Sequence, residues 1–343
     1  MYVVLMDTLL TVKKLNDTEF HALEKALLPV IVPLEQSPLW GAFDEGITGR
    51  TFLGSFRYDD SEGKLIALGS ATLYQQKGRD WIWFKHGPLF ASMPNTKLVQ
   101  KMCATLADQF KSIDGTQPTF IRLTVPTRAK QLTPPFEHTM YDQTVIVDLT
   151  QTEDEILAGM SQSGRKGVRT AAKCAIEVSE ITSDRSSYFK AHCYPILKET
   201  GARDGFGIHP LSLYTSLLDT LPKNARLYVA YSKKQVAAWA ITTEYNTQSM
   251  YYYGGSSALA RETFAAYALH FEVMKEMKAR GNVSYDFMGI AGKNYEGLKN
   301  VTQFKIKFSK NIVDIPFTYD LPLRKAKYLA LSSAIKLKRR LPI

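Results

Sequence analysis

The chain has 343 residues, 45% of them hydrophobic and 22% charged, a composition that excludes a disordered or fibrous protein and, at this length, favours two hydrophobic cores over one. Lys and Arg outnumber Asp and Glu by 43 to 33, a net charge of +10, which points to a polyanionic partner without choosing among nucleic acid, a nucleotide diphosphate and anionic lipid. Cys103, Cys174 and Cys193 form no C-x-x-C pair and read as small buried hydrophobes in a reducing compartment, not as a disulfide framework. The apolar run 1–10 is too short to span a bilayer, carries Asp7 and lacks a basic n-region, and no later stretch reaches the roughly 18 uninterrupted apolar residues of a spanning helix. A cytoplasmic location follows as an expectation, with any membrane contact peripheral.

Residues 51–58 (TFLGSFRY), 64–75 (KLIALGSATLYQ) and 80–90 (DWIWFKHGPLF) read as three strands separated by the turn-forming clusters DDSEG and KGRD. After Pro94, the residues Leu98, Met102, Thr105, Leu106 and Phe110 share one helical face, and 119–125 (TFIRLTV) returns to strand. Residues 144–149 (TVIVDL) end in TQTEDE, a helix cap and acidic first turn, so the join between domains is expected near 148–154. Next, GRKGVRTAAK at 164–173 sets Arg165, Arg169 and Lys173 four residues apart with Lys166 beside them, a basic stripe that is either a solvated helix face or a phosphate contact.

The first pattern then returns. Strands at 226–232, 235–245 and 249–256 are followed by a helix bearing Phe264, Tyr267, Phe271 and Met274, closed by Gly281 after Lys278 and Arg280, and then by the strand SYDFMGI at 284–290. Three strands, a helix and a strand, given twice, resemble the layout of GNAT-like acyltransferases. The expected fold is therefore α/β (α+β): a tandem of two such domains with a cleft between them. They would cover 1–150, joined by the C-terminal segment 317–343, and 151–316.

Much familiar chemistry is missing. Neither copy has the Gly-rich turn that would hold a CoA pyrophosphate, and there is no P-loop, H-E-x-x-H or G-x-S-x-G motif. His21, His86, His138, His192, His209 and His270 have no ligand spacing, so no metal site and no cofactor are expected. Tyr251, Tyr252 and Tyr253 before Gly254 and Gly255 place phenols on alternate faces of one strand. Residues 303–308 (QFKIKF) alternate as a strand, with Phe304, Ile306 and Phe308 on one side and Lys305 and Lys307 on the other. The tail 323–341 reads as a basic amphipathic helix, suited either to an anionic membrane face or to packing back on the first domain.

Six motifs in order, QSPLW (36–40), KHGPL (85–89), YYYGGSS (251–257), YALHFEVM (267–274), YDFMGI (285–290) and QFKIKF (303–308), resemble the FemABX family of compact type, without a coiled-coil arm. The resemblance implies a tRNA-dependent aminoacyltransferase of peptidoglycan interpeptide-bridge synthesis. Its donor would be aminoacyl-tRNA, and its acceptor the stem-peptide amine of UDP-MurNAc-pentapeptide or lipid II. It implies Lys305 and Phe304 at the reacting ester, with Lys305 stabilising the oxyanion. Arg203, His209, Tyr214, Tyr251, Tyr253, Lys85, His86 and Trp40 would bind substrate. Asp44 stands where a relative carries a phosphate-binding lysine, and Thr124 where one carries an acidic residue, which leaves no obvious base in the first domain. Asp286 is a candidate base whose simpler reading is structural. Two alternatives remain: another N-acyltransferase on this scaffold with a lipid, protein or small-amine acceptor, and a non-catalytic nucleic-acid or membrane-binding protein. No heptad points to an oligomeric state.

Overall fold

The computed structural model describes residues 9–76, 78–137, 141–292 and 298–340, the side chains of 338–340 apart. His138 and the ends of both terminal segments discussed above lie outside the described residues. The chain forms two compact units, residues 1–140 with 316–343, and residues 141–315.

In the first unit the strands are β1 (Thr11–Leu15), β2 (Arg50–Asp59), β3 (Leu65–Gln76), β4 (Arg79–Phe84), β5 (Leu89–Phe90) and β6 (Phe120–Thr124), joined late in the chain by β14 (Thr318–Pro322). They make one sheet in the order β1-β2-β3-β4-β6-β14, with β5 on β3. The expected strand 80–90 is two strands, because His86 adopts a left-handed φ of 61° and the cis Gly87–Pro88 bond follows it, and proline gives the ladder no N–H. Helices α1 (Asp17–Ala26) and α2 (Pro38–Glu45) precede β2, and α3 (Thr96–Gln109) is capped by Asn95, which accepts the Leu98 N–H at 2.9 Å. Val99, Met102 and Leu106 of α3 pack on Phe56, Ile82, Phe84 and Ile121, the alternate inward residues of the sheet.

The second unit's sheet runs β13 (Ile312–Asp314), β7 (Gln143–Asp148), β12 (Ser284–Ile290), β11 (Gln248–Ser256), β10 (Gln235–Tyr245), β9 (Ala225–Ser232), β8 (Glu177–Ile181). The strand expected to end the first domain is thus β7, part of the second sheet. It pairs with β12 from Ser284↔Asp148 to Ile290↔Gln143 and with β13 on its other side, giving β12 an antiparallel partner along the edge turned away from β11. The junction accordingly falls at 140/141 and not at 148–154.

Short α4 (Glu153–Gly159) leads to α5 (Gln162–Lys173). One side of the sheet carries α6 (Arg185–Tyr188), a π-helical turn at Phe189–Cys193, α7 (Tyr194–Asp204) and α8 (Leu211–Thr220). After α9 (Ala258–Thr263), Phe264 takes a left-handed φ of 58° and α10 (Ala265–Ala279) begins. Leu269, Val273, Met274 and Met277 of α10 form the core with Val145, Ala238, Ala240, Tyr285 and Phe287. Then α11 (Lys299–Lys305) follows β12, and α12 (Lys325–Arg340) ends the described chain. In α12, Tyr328, Leu331 and Ile335 pack on Trp81, Phe120 and Phe136 of the first unit, while Leu329 and Leu337 are exposed. Among the described residues no helix is long and apolar enough to cross a membrane.

Candidate active site

The parallel pair β11 and β12 is zipped for three residues, Gln248–Met250 against Ser284–Asp286, and then parts. The gap opens into a cavity of about 520 Å³ within the second unit, lined by Arg203, Tyr251, Ser256, His270, Phe304 and Lys305 among others. In the first unit the equivalent parallel pair, β4 with β6, stays in register over four residues, and the Thr124 N–H then reaches the Gly87 carbonyl at 2.7 Å.

Lys305 is helical, at the end of α11, which corrects the strand expected over 303–308. Phe304 and Phe308 lie four apart and so share a helical face, and their rings stand 5.1 Å apart. Thr302 ties the helix down, its hydroxyl donating to the Leu298 carbonyl and accepting the Ala291 N–H. Lys305 is buried, at 9% exposure. Its ammonium donates to the carbonyls of Gly289 at 2.8 Å and Met288 at 3.3 Å, and lies 5.8 Å from the Tyr251 ring centroid. Burial brings its pKa from an ordinary 10.5 to about 8, against the opposing pull of Asp286. An ammonium has three donors; two are spent on carbonyls, and the third is left for the cavity. Phe304 packs on Tyr267 and His270.

His270, scattered and unassigned in the sequence, sits at the cavity wall. Its Nδ1 is 3.0 Å from the Tyr285 hydroxyl, and burial, reinforced by the Lys305 charge, lowers its pKa to about 3, so the ring is neutral. Asp286 accepts the Thr144 hydroxyl and the Met288 N–H.

Arg203 reaches the cavity from the end of α7. Its guanidinium is bidentate on Asp204, at 2.8 and 3.0 Å, and gives a further N–H to the Ser256 carbonyl at 2.8 Å. The Asp204 bond raises its pKa. Tyr251 and Tyr253, expected on one face, are on opposite faces. The β10 register steps from Ile241↔Tyr253 to Thr242↔Tyr251, leaving Tyr252 as the extra residue of a bulge, and a bulge shifts the alternation by one. Tyr251 therefore packs on His270 and Phe287, while Tyr253 packs on His209 and Tyr214. That second cluster lies with α8. Tyr214 is 2% exposed and its hydroxyl accepts the His209 N–H at 3.1 Å, a structural use.

In the first unit, Trp40, Lys85 and His86 do come together. The Lys85 ammonium is 4.5 Å from the Trp40 ring centroid, and Lys85 and His86 approach the buried Glu35 carboxylate at 3.8 and 3.7 Å. Glu35 gave no signal in the sequence. Burial lowers the pKa of both Lys85 and His86. Gln36 fixes the loop, donating to the Lys85 and Ser70 carbonyls and accepting the Ser70 N–H. Asp44 is bonded to Arg50 at 2.8 Å and to Thr72 at 2.7 Å, a buried structural carboxylate. Thr124 lies 3.2 Å from Thr318, hydroxyl to hydroxyl.

The basic stripe is shorter than expected. Arg165 turns back to cap the carbonyls of Ala158 and Met160, whereas Lys166, Arg169 and Lys173 are exposed. The helix beneath them is held close by its glycines: a Cβ on Gly164 would stand 2.4 Å from the Lys307 carbonyl oxygen, and one on Gly167 2.6 Å from the Tyr267 ring.

The sequence model of the FemAB family matches residues 132–235 and again 230–336, more than half of the chain. The chain belongs to the FemAB family. Of solved structures, the FemAB chain is similar to the crystal structure of FemX, with 15% identity, a TM-score of 0.72, and coverage of 94% of this chain and 100% of that one. It is also similar to L-PGS from Bacillus licheniformis, with 12% identity, a TM-score of 0.51, and coverage of 96% and 99%. At such identities the likeness is one of fold, and it makes the two units tandem GNAT-like domains. No curated protein matches by sequence. FemAB membership makes the protein a transferase of the peptidoglycan interpeptide-bridge aminoacyltransferase family.

Proposed function

We propose that the protein transfers an aminoacyl group from aminoacyl-tRNA to the stem-peptide amine of a peptidoglycan precursor, UDP-MurNAc-pentapeptide or its lipid-linked form. The observation that carries this reading is the buried Lys305 ammonium at the mouth of the split between β11 and β12, with one donor left over. In the reaction the amine nitrogen attacks the ester carbonyl. The new C–N bond forms, the C–O bond to the tRNA ribose breaks, and the amine proton leaves with the departing hydroxyl. Negative charge collects on the carbonyl oxygen between these events, and a fixed cation of low solvent exposure is worth most there. Phe304, Tyr267 and Tyr251 supply an apolar wall that keeps water from competing as nucleophile.

Incubation with a mixture of charged tRNAs and either precursor, read by mass spectrometry, should show the precursor gaining one amino-acid residue. No gain with either acceptor, in a folded preparation, would sink the reading and turn attention to acyl-CoA donors. The charge requirement also fixes a pH profile. Lys305 must be protonated and its pKa is depressed to about 8, so the ratio of parent to Lys305→Met turnover, in which the ionisation of the acceptor amine cancels, should hold below that value and then fall about tenfold per pH unit above it. A ratio unchanged at pH 9.5 would take the ammonium out of the transition state.

A further inference from the structure

We propose that Asp286 is a positioning residue for Lys305: its carboxylate breaks the end of β12 so that two consecutive carbonyls face the same ammonium. The inference rests on the aminoacyl-transfer reading for its kinetic consequence but not for its geometry. In a regular strand, successive carbonyls point in opposite directions across the pleat. Met288 and Gly289 nevertheless both accept from Lys305 Nζ. What permits this is a local fold: Asp286 Oδ1 accepts the Met288 N–H at 2.6 Å, Met288 takes a left-handed φ of 55°, and the register with β7 shifts between Asp286 and Gly289. A non-glycine residue in that region costs free energy and needs a local hydrogen bond to hold it.

The carboxylate is itself anchored, since the Thr144 hydroxyl of β7 donates to the same oxygen. The next residue is also constrained, because a Cβ on Gly289 would lie 2.5 Å from the Tyr141 ring. Asp286 thus acts twice on Lys305, through backbone shape and through charge, its negative charge favouring the ammonium. Among the described residues, the other groups facing Lys305 are Tyr251 from β11 and His270 from α10, neutral rings, with Arg203 and Asp204 of α7 and Arg261 of α9 further round the cavity.

Two variants separate the two actions. Asp286→Asn keeps an oxygen for the Met288 N–H and loses the charge; Asp286→Ala loses both. The readout is the pH midpoint of Lys305 modification by an amine-acylating reagent, followed by mass spectrometry on the full chain without donor or acceptor. In Asp286→Asn that midpoint should drop by about one pH unit, and the alkaline limb of kcat should move with it at unchanged acceptor KM. In Asp286→Ala, kcat should fall on the order of 10²-fold through misplacement of the ammonium. In Asp286→Ala the midpoint should drop further than in Asp286→Asn, because the carbonyl pair is lost as well; a midpoint no lower than that of Asp286→Asn overturns the positioning role, and a midpoint in Asp286→Asn equal to that of the parent protein removes the charge action. A shifted midpoint in a protein that transfers nothing would refute the aminoacyl-transfer reading and leave the positioning role standing.

Discussion

Turnover should drop by about two to three orders of magnitude when Lys305 is replaced by methionine, with the acceptor KM little changed, because a donor aimed at a developing oxyanion is worth about 2.7–4 kcal/mol in the transition state and little before it. Methionine fills the channel left by the lysine stem, so the loss cannot be assigned to a cavity. Stability provides the control, through its pH dependence. The folded state holds the Lys305 proton less tightly than the unfolded chain, its pKa falling from 10.5 to about 8, a difference of roughly 3 kcal/mol against the native state at neutral pH. Lys305→Met removes that penalty but leaves the Met288 and Gly289 carbonyls without their donor, a cost of the same order, so the pH dependence is what decides. The parent should gain about 3 kcal/mol on the variant as the pH rises from about 8 to 10.5, and the difference between them should be constant below 8. Turnover that falls only in step with the folded fraction would show that Lys305 serves the fold and not the reaction. Single-turnover kinetics with a charged tRNA, beside denaturant unfolding at two pH values, reads both quantities.

The sequence disclosed what local chemistry dictates. The strands of each copy follow from alternation between turn clusters, and the end of α10 from Gly281, whose φ of 86° only a residue without a Cβ takes readily. What it did not disclose is set by partners distant in the chain. QFKIKF fits a strand by alternation and a helix by the i,i+4 pair Phe304 and Phe308, and six residues cannot separate the two periods. Alternation therefore reads Lys305 as part of a strand, whereas it stands at the end of a helix. The parity of Tyr251 and Tyr253 depends on a bulge at Tyr252, which exists in the register with β10 and has no local mark. The domain junction misled for the same reason: β7 ends in a sound helix cap at Thr152, but its allegiance is decided by pairing with β12 and β13. Glu35 and His270 are lone titratable residues in the sequence, and only the fold sets them beside Lys85 and Lys305.

The largest loss of stability is expected in the first unit, at Asp320 of β14. Its carboxylate is bidentate with Arg122 of β6, at 2.7 and 3.0 Å, with side chains 0% and 3% exposed. It also accepts the Tyr328 hydroxyl at 3.0 Å. The Arg122 guanidinium also lies 5.2 Å from the Phe120 and 5.7 Å from the Phe136 ring centroid. Asp320→Ala leaves that cation buried without its counter-ion, which should cost about 3–5 kcal/mol, whereas removing both partners together with apolar residues of similar size should cost far less. Arg122→Met combined with Asp320→Leu is the matching variant. The chain leaves the first unit after 140 and re-enters it at 316, so the returning strand has no short local connection to hold it and relies on its ladder with β6, on a bridge to Thr133 and on this pair. Asp320→Ala also removes the acceptor of the Tyr328 hydroxyl, and Tyr328 is one of the residues through which α12 meets Phe120 and Phe136. Limited proteolysis should accordingly cut within 325–337 in Asp320→Ala before any other part of the first unit, and the double variant should regain protection. A loss below about 1 kcal/mol, or cleavage elsewhere first, would mean that the strand ladder alone fastens the C-terminal segment.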